Sequence, residues 1–362
     1  MTTIARDRTA AQIEIAGGID THQDTHTAAV VDSTGRPLAA RQFPAKATGY
    51  RQLLTWLHGF GIILVVGIEG TGAYGAGLAR HLASEGISMV EVDRPDRKAR
   101  RFAGKSDPLD AQAAARAALA GVRTGHPKTR DGQVEALRNL RVARRSAVDQ
   151  RADCLRRIKT LVVTAPETLR EKLRSLPDSR LLATCAAFRP DISQASDPTQ
   201  ATRIALRSLA RRHADLTTEI TDLDALIEPV VKKTNPRLLD LNGVGPDVAG
   251  QLLVTAGQNS DRLRSEAAFA MLCGVAPIPA SSGKTHRHRL NRGGDRQANA
   301  AIYRIVLCRM RWDPRTRAYV KRRTSEGLSK KDIIRCLKRL IAREIYYVLR
   351  TPTPTTDPTI AA

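Results

Sequence analysis

An α/β domain built on a mixed sheet, followed by an all-α region, is the fold class that this 362-residue sequence predicts. Three observations carry it. Short apolar stretches with β character, at residues 13–20, 27–31, 37–44, 62–68 and 87–93, are confined to the first quarter of the chain. They alternate with helical patterns in the order three strands, helix, strand, helix, strand. Beyond residue 125 the period of two disappears and apolar residues recur in steps of three and four.

The first stretch, 13–32, reads as a hairpin with Asp20 at the end of its first strand, where Gly17, Gly18 and Asp20 let the backbone crowd a ligand. Residues 37–44 form a third strand, and Leu53, Leu54, Trp56 and Leu57 give residues 49–59 a helical face. The continuous run IILVVGI at 62–68 predicts a strand buried on both faces and ending in Glu69. A helix with a Gly-rich start and a stop at Gly86 follows, then a strand at 87–93. Residues 94–105 carry six basic side chains against one acid. An Ala-rich helix then starts near Asp107, capped by Ser106 or Asp107 with Pro108 in its first turn, and ends at Gly121.

In residues 135–163, Leu140, Ala147, Cys154 and Leu161 lie seven apart, with Val148, Leu155 and Val162 beside them. Leu206, Leu209, His213, Leu216, Ile220, Leu223, Ile227 and Val230 repeat the pattern. These are coiled-coil heptads, and either two helices of one chain or helices of two chains satisfy them. Pro166, Pro177, Pro190 and Pro198 punctuate shorter helical pieces between them. Around Gly243-Val244-Gly245-Pro246 the pattern is helix-hairpin-helix-like, which reads either as a phosphate-binding turn or as a plain tight turn. The expected divisions are 1–12 and 351–362 as disordered ends, 13–125 as the sheet domain, 126–234 as the coiled-coil region and 235–350 as a C-terminal helical domain.

Composition points to a polyanionic partner. Lys and Arg number 59 against 36 Asp and Glu, a formal charge of +23, and nucleic acid fits such a balance better than a membrane does. Between residues 284 and 323 there are 13 Lys or Arg and only two acids, Asp295 and Asp313, the pattern of a phosphate-backbone track or of a solvated face. No apolar run reaches 18 residues and residues 1–12 lack a signal-peptide core, so a cytoplasmic, nucleoid-associated location is expected. Five scattered cysteines without a CxxC indicate neither disulfides nor a zinc ribbon.

Four carboxylates draw attention. Asp20 and Glu69 end the first and fourth strands, and Asp107 and Asp110 share one face of a helix start. If those strands are neighbours, as in a ribonuclease-H-like sheet, all four converge. Clustered carboxylates repel unless cations neutralise them, and such oxygen ligands suit Mg²⁺ or Mn²⁺ in a two-metal site with ions about 3.5 to 4 Å apart, the apparatus of phosphoryl transfer. Helix capping and strand-end solvation are the plainer explanations of the same residues. His22 and His26 are four apart, but in a hairpin turn rather than on a helix, which disfavours zinc, although His26 is placed to assist the carboxylates. The glycines at 70, 72, 75 and 77 fit a dinucleotide loop only loosely. Ser281 and Ser282 lie in a basic loop, where Lys284, His286 or Arg287 could activate a hydroxyl, although a Ser-Ser-Gly turn is the simpler reading.

Taken together, GIDTHQDTHTAAVVD, VVGIEGTGAYG, KSDPLDAQAAA, LNGVGPDVA and LCGVAPIPASSGKTHRHRLNRGGDRQANAAIYRIV resemble a transposase of the insertion-sequence one-ten family, DEDD-type recombinases with a RuvC-like domain. The resemblance implies that Asp20, Glu69, Asp107 and Asp110 bind Mg²⁺, with Mn²⁺ as the alternative. It implies a serine nucleophile in the C-terminal domain, Ser282 or its neighbour Ser281. It further implies donor and target DNA as partners, an element-encoded non-coding guide RNA, and a homodimer that assembles to a tetramer. Arg94, Arg97, Lys98, Arg100, Arg101, Lys105, Gly243, Gly245, Lys284, Arg287, Arg289, Arg292 and Arg296 are the candidate nucleic-acid contacts. A junction-resolving nuclease using the carboxylates alone, an ATPase of the actin or sugar-kinase type, and an architectural DNA-coating protein are the competing readings.

Overall fold

The computed structural model describes residues 13–92, 106–122, 124–283 and 288–351. Its contacts divide the chain into two units, 1–130 with 257–262, and 131–256 with 263–362.

The first unit is a six-stranded mixed sheet of order β3-β2-β1-β4-β5-β6. β1 (Glu14–Thr21), β2 (Thr25–Asp32) and β3 (Pro37–Pro44) form an antiparallel meander. β4 (Ile62–Glu69) and β5 (Met89–Val92) run parallel to β1. A two-residue edge strand, β6 (Thr124–Gly125), closes the sheet antiparallel to β5 and is too short to leave a period in the sequence. One face packs Ile15, Ile19, Val66 and Ile68 under α1 (Ala47–His58) and α2 (Ala76–Ser84), whose Leu53, Leu57, Leu78 and Leu82 are fully buried. The opposite face is covered by α3 (Asp107–Ala120) through Ala111, Ala114, Ala115 and Ala118.

That second interface is unusually close. A Cβ on Gly18 of β1 would stand 2.0 Å from the Ala111 carbonyl oxygen and 2.2 Å from the Ala115 nitrogen, and one on Gly67 of β4 would stand 2.5 Å from the Ala114 oxygen. Alanines on the helix and glycines on the strands therefore let backbone meet backbone. Gly18, read from the sequence as room for a ligand, is room for a helix.

The second unit is helical. α4 (Gly132–Thr164) and α7 (Pro198–Thr234) are its two long members, with α5 (Glu167–Leu173) and α6 (Asp178–Ala186) between them, each started by the expected prolines. Val134 and Leu137 cluster with Ile227 and Val231, Ala147 and Cys154 with Leu216 and Ile220, and Ile158 and Val162 with Leu206 and Ala210. The start of α4 thus meets the end of α7: the helices are antiparallel partners within one chain. Their heptads are satisfied there and supply no argument for pairing between chains.

The rest of this unit packs on the same core: α8 (Pro246–Ala256), α9 (Glu266–Leu272), α10 (Arg296–Trp312), α11 (Pro314–Ser325) and α12 (Lys330–Arg350). Ahead of Gly243 the chain forms only a single 3-10 turn, Pro236–Leu238, so one α-helix rather than two flanks the glycine turn. Gly243 has φ +79° and lies against Cys308 and Ile305.

Asp247, in the first turn of α8, is the polar hub of this unit. Its carboxylate accepts from Arg141 at 2.6 Å, Arg304 at 2.7 Å and Arg144 at 3.2 Å, while Arg144 also grips Asp224 at 2.5 and 2.9 Å. Burial pushes the Asp247 pKa up, but the three guanidiniums, Arg141 foremost, outweigh it and hold the carboxyl below its ordinary 3.8. A depressed folded-state pKa contributes stability that is complete above the unfolded value and is lost as pH falls through the folded one. Asp247→Asn is expected to cost about 3 kcal/mol near neutral pH, because Arg141, only 13% exposed, loses its counter-charge. Thermal unfolding followed from pH 7 to below 4 checks this: the gap between variant and parent should narrow only at the acid end.

Candidate metal centre and nucleic-acid interface

Strand alternation and register decide which side chains share the α3 face. Gly18 and Asp20 project to the side opposite Ile15 and Ile19, and parallel pairing of Gly18 with Gly67 puts Glu69 on that same side of β4. Both carboxylates stand at the carboxyl ends of adjacent parallel strands. The Thr21 hydroxyl donates to the Glu69 carbonyl oxygen at 2.7 Å and ties the two ends together, and Gly70 reverses the chain at φ +79°. The close seating of α3 delivers its first turn to the same edge. Ser106 takes the cap position, Pro108 the first turn, and Asp107 and Asp110 lie one turn apart, Asp110 being 7% exposed.

Asp20, Asp107 and His22 come together here, with one oxygen or nitrogen donor from each within 4.8 Å of the others. The His22 Nδ1 is 3.8 Å from the Asp20 Oδ2. Ligands of a small divalent cation lie about 3.0 Å apart when adjacent and about 4.2 Å apart when opposite, so these donors would have to draw together by about 1 Å to share one ion. Of the four carboxylates expected to converge, Glu69 at the end of β4 and Asp110 one turn into α3 are not in this set of donors.

His26 is elsewhere. It pairs with Thr21 across the hairpin, which places it on the opposite face, and it is fully buried and stacked on Tyr50 with 5.7 Å between ring centroids. Burial lowers its pKa, so it is a neutral core side chain and no assistant to the carboxylates. The two histidines thus do not form one site. The relevant partner of His22 is two residues before it, a spacing no helical motif would flag. The glycine series from residue 70 also has a packing explanation: a Cβ on Gly75 would press on Thr21 and Ile68, and one on Gly77 would be 2.7 Å from the Tyr50 hydroxyl.

A family model described as transposase, for DEDD transposases of the IS110 group, matches residues 17–165, a span that contains all four carboxylates. A second, described as transposase of the IS116/IS110/IS902 family, matches residues 235–321, which contain Ser281 and Ser282. The chain belongs to the IS110 transposase family. It is similar to the insertion element IS900 uncharacterized 42 kDa protein of Mycobacterium paratuberculosis, 29% identical over 39% of this chain and 36% of that protein. It is also similar to the insertion element IS110 uncharacterized 43.6 kDa protein of Streptomyces coelicolor (strain ATCC BAA-471 / A3(2) / M145), 31% identical over 36% of this chain and 32% of that protein. The matched segment spans about a third of each curated relative.

In the second unit of this family member, Ser281, Ser282 and Gly283 are exposed in the connection between β7 (Ile278–Pro279) and β8 (His288–Arg289), which pair antiparallel. Gly283 has φ +54°, so the turn reading of Ser-Ser-Gly accounts for the glycine while leaving the hydroxyls on the surface. Beside β8 lies a cleft of about 760 Å³ lined by Arg289 and Arg292 from one side and Arg335, Lys338 and Arg339 of α12 from the other. Lys338 donates to Asn299 at 2.5 Å and lies over the Tyr303 ring, and burial lowers its pKa. These α12 cations stand beyond the basic block at 284–323 and leave no charge run in the sequence. Arg296 is exposed at the start of α10, whose cap is Asp295. Gly245 is exposed just ahead of α8. Arg94, Arg97, Lys98, Arg100, Arg101, Lys105, Lys284 and Arg287 lie outside the described residues. No helix among the described residues is long and apolar enough to cross a membrane.

Proposed function

We propose that this chain is a DNA transposase that cuts and rejoins DNA through Ser282, with Asp20, Glu69, Asp107 and Asp110 as its Mg²⁺-binding set. The observation that carries the proposal is the meeting of Asp20 and Asp107 at the carboxyl ends of β1 and β4, in a chain of a transposase family. A divalent cation held by these carboxylates would neutralise charge on the reacting phosphate and lower the pKa of an attacking oxygen; Mg²⁺ suits the oxygen donors and Mn²⁺ is the alternative.

The serine does the covalent work. As the Ser282 Oγ–P bond forms, the P–O bond to one deoxyribose breaks, and the departing oxygen leaves with a proton equivalent to the one the hydroxyl gave up. The phosphoserine keeps the energy of the broken ester, so a second deoxyribose hydroxyl can displace the serine and reseal the strand. Exchange between two duplexes needs four strands cut, hence four serines, which is the reason to expect a homodimer assembling to a tetramer. Arg289, Arg292 and Lys338 line a groove offered to the sugar-phosphate backbone, alongside Arg335 and Arg339, which are paired with Asp332 and Glu266. Backbone recognition leaves sequence choice unassigned, and a non-coding guide RNA pairing with donor and target DNA fills that role. Such a protein works at the nucleoid in the cytoplasm.

The test is a nicked suicide substrate that traps the covalent stage. The parent protein should give a denaturant-resistant protein–DNA adduct whose phosphopeptide maps to Ser282; Ser282→Ala should abolish both adduct and strand exchange, with Ser281→Ala retaining them. Cleavage by Ser282→Ala at the parent rate would instead indicate a hydrolytic nuclease that uses the carboxylates alone. Sequencing of copurifying RNA, and loss of exchange after ribonuclease treatment, tests the guide.

A further inference from the structure

The hairpin turn that follows Asp20 holds a side chain with no role in the four-carboxylate scheme. His22 is half exposed, yet its backbone N–H donates to the Thr25 carbonyl at 3.0 Å, which fixes the two-strand turn from which the ring projects. Its Nδ1 lies 3.8 Å from the Asp20 Oδ2, and a donor atom of Asp107 completes a triangle of sides no longer than 4.8 Å. Two segments far apart in sequence, the β1 end with its turn and the α3 start, thus bring three donors together. A surface His–Asp ion pair needs only two of them.

We infer that His22 is a nitrogen ligand of the metal bound at Asp20 and Asp107, and that it biases this site toward Mn²⁺ over Mg²⁺. The inference rests on the reading of the carboxylates as a metal centre. Imidazole nitrogen is a softer donor than carboxylate oxygen and is well suited to first-row transition ions, whereas Mg²⁺ selects oxygen and water. A centre of four carboxylates would have no such discrimination; one with His22 replacing a water ligand acquires it. A ring nitrogen bound there would take the place of one water of the ion.

The experiment uses the full chain, with Mn²⁺ and Mg²⁺ alone as probes. Pulsed electron paramagnetic resonance of bound Mn²⁺ should show coupling to a directly bound ¹⁴N in the parent protein and none in His22→Ala. Calorimetric titration should show Mn²⁺ affinity falling by about tenfold or more in His22→Ala, with Mg²⁺ affinity changing far less. The substitution falls at an exposed turn position, and an unchanged melting temperature verifies folding. Asp20→Asn separates the two readings. Mn²⁺ binding that is abolished by Asp20→Asn but carries no ¹⁴N coupling in the parent overturns the role of His22 and leaves the carboxylate centre standing. Absence of any Mn²⁺ binding to the parent overturns both.

Discussion

Gly18→Ala is expected to unseat α3 and to take the proposed metal-binding cluster with it. The added methyl group would sit 2.0 Å from the Ala111 carbonyl oxygen and 2.7 Å from the Ala115 Cα, atoms of backbone that cannot rotate aside. Overpacking of side chains costs about 1–3 kcal/mol, and a backbone-on-backbone clash belongs at or above the top of that range. Relief requires the helix to lift or slide, and Asp107 and Asp110 move with it. Calorimetric unfolding should therefore show a loss of about 3 kcal/mol, and Mn²⁺ titration should show that the surviving folded protein binds the ion weakly. Gly17→Ala is the control one residue away: it points to the other face, where the methyl would meet Leu57 and Val66 side chains at 3.4 Å, and both stability and metal binding should be nearly unchanged. Equal effects from the two substitutions would argue that strand flexibility, not helix approach, is what Gly18 serves.

Asp20→Asn and Asp107→Asn are expected to abolish DNA cleavage while leaving the fold intact. The amide keeps the shape of each carboxylate and removes the charge that holds a divalent ion. Loss of one such electrostatic contribution at a reacting phosphorus corresponds to about 4 kcal/mol, or roughly 10³-fold in rate. Metal-linked stability gives a second readout. At 100 times its dissociation constant an ion that binds only the folded chain stabilises it by about 2.7 kcal/mol, so the parent should melt higher with Mg²⁺ or Mn²⁺ and the two variants should not respond. An ATPase of the same sheet class would need ATP for its metal response, and an architectural protein would keep DNA function in both variants. Cleavage at the parent rate by Asp20→Asn would remove the carboxylates from the chemistry.

Much of the site is legible along the chain, because the properties involved are local. A β-period ending in Asp20, an apolar run ending in Glu69, and a Ser106-Asp107-Pro108 helix start with Asp110 one turn on each declare themselves within a dozen residues. The first five strands of the sheet and the two long heptad helices follow from the same periodicities, whereas the two-residue β6 does not, and the family is carried by the motifs and not by any period. What the sequence could not decide is which face each residue occupies and what lies across from it, since these depend on register and on partners tens of residues away. Pairing of Gly18 with Gly67 sets Asp20 and Glu69 on one face; pairing of Thr21 with His26 sends that histidine to the other, so that His22 and not His26 accompanies the carboxylates. The heptads state that a partner helix exists, and only packing shows that α4 finds it in α7 of the same chain. Asp247 reads as an ordinary helix-start acid until three arginines from two distant helices close on it. Periodicity is a property of neighbours in sequence, whereas chemistry at a site is a property of neighbours in space, and the glycine at position 18 is where one becomes the other: its missing side chain means nothing locally and sets the distance between helix and sheet.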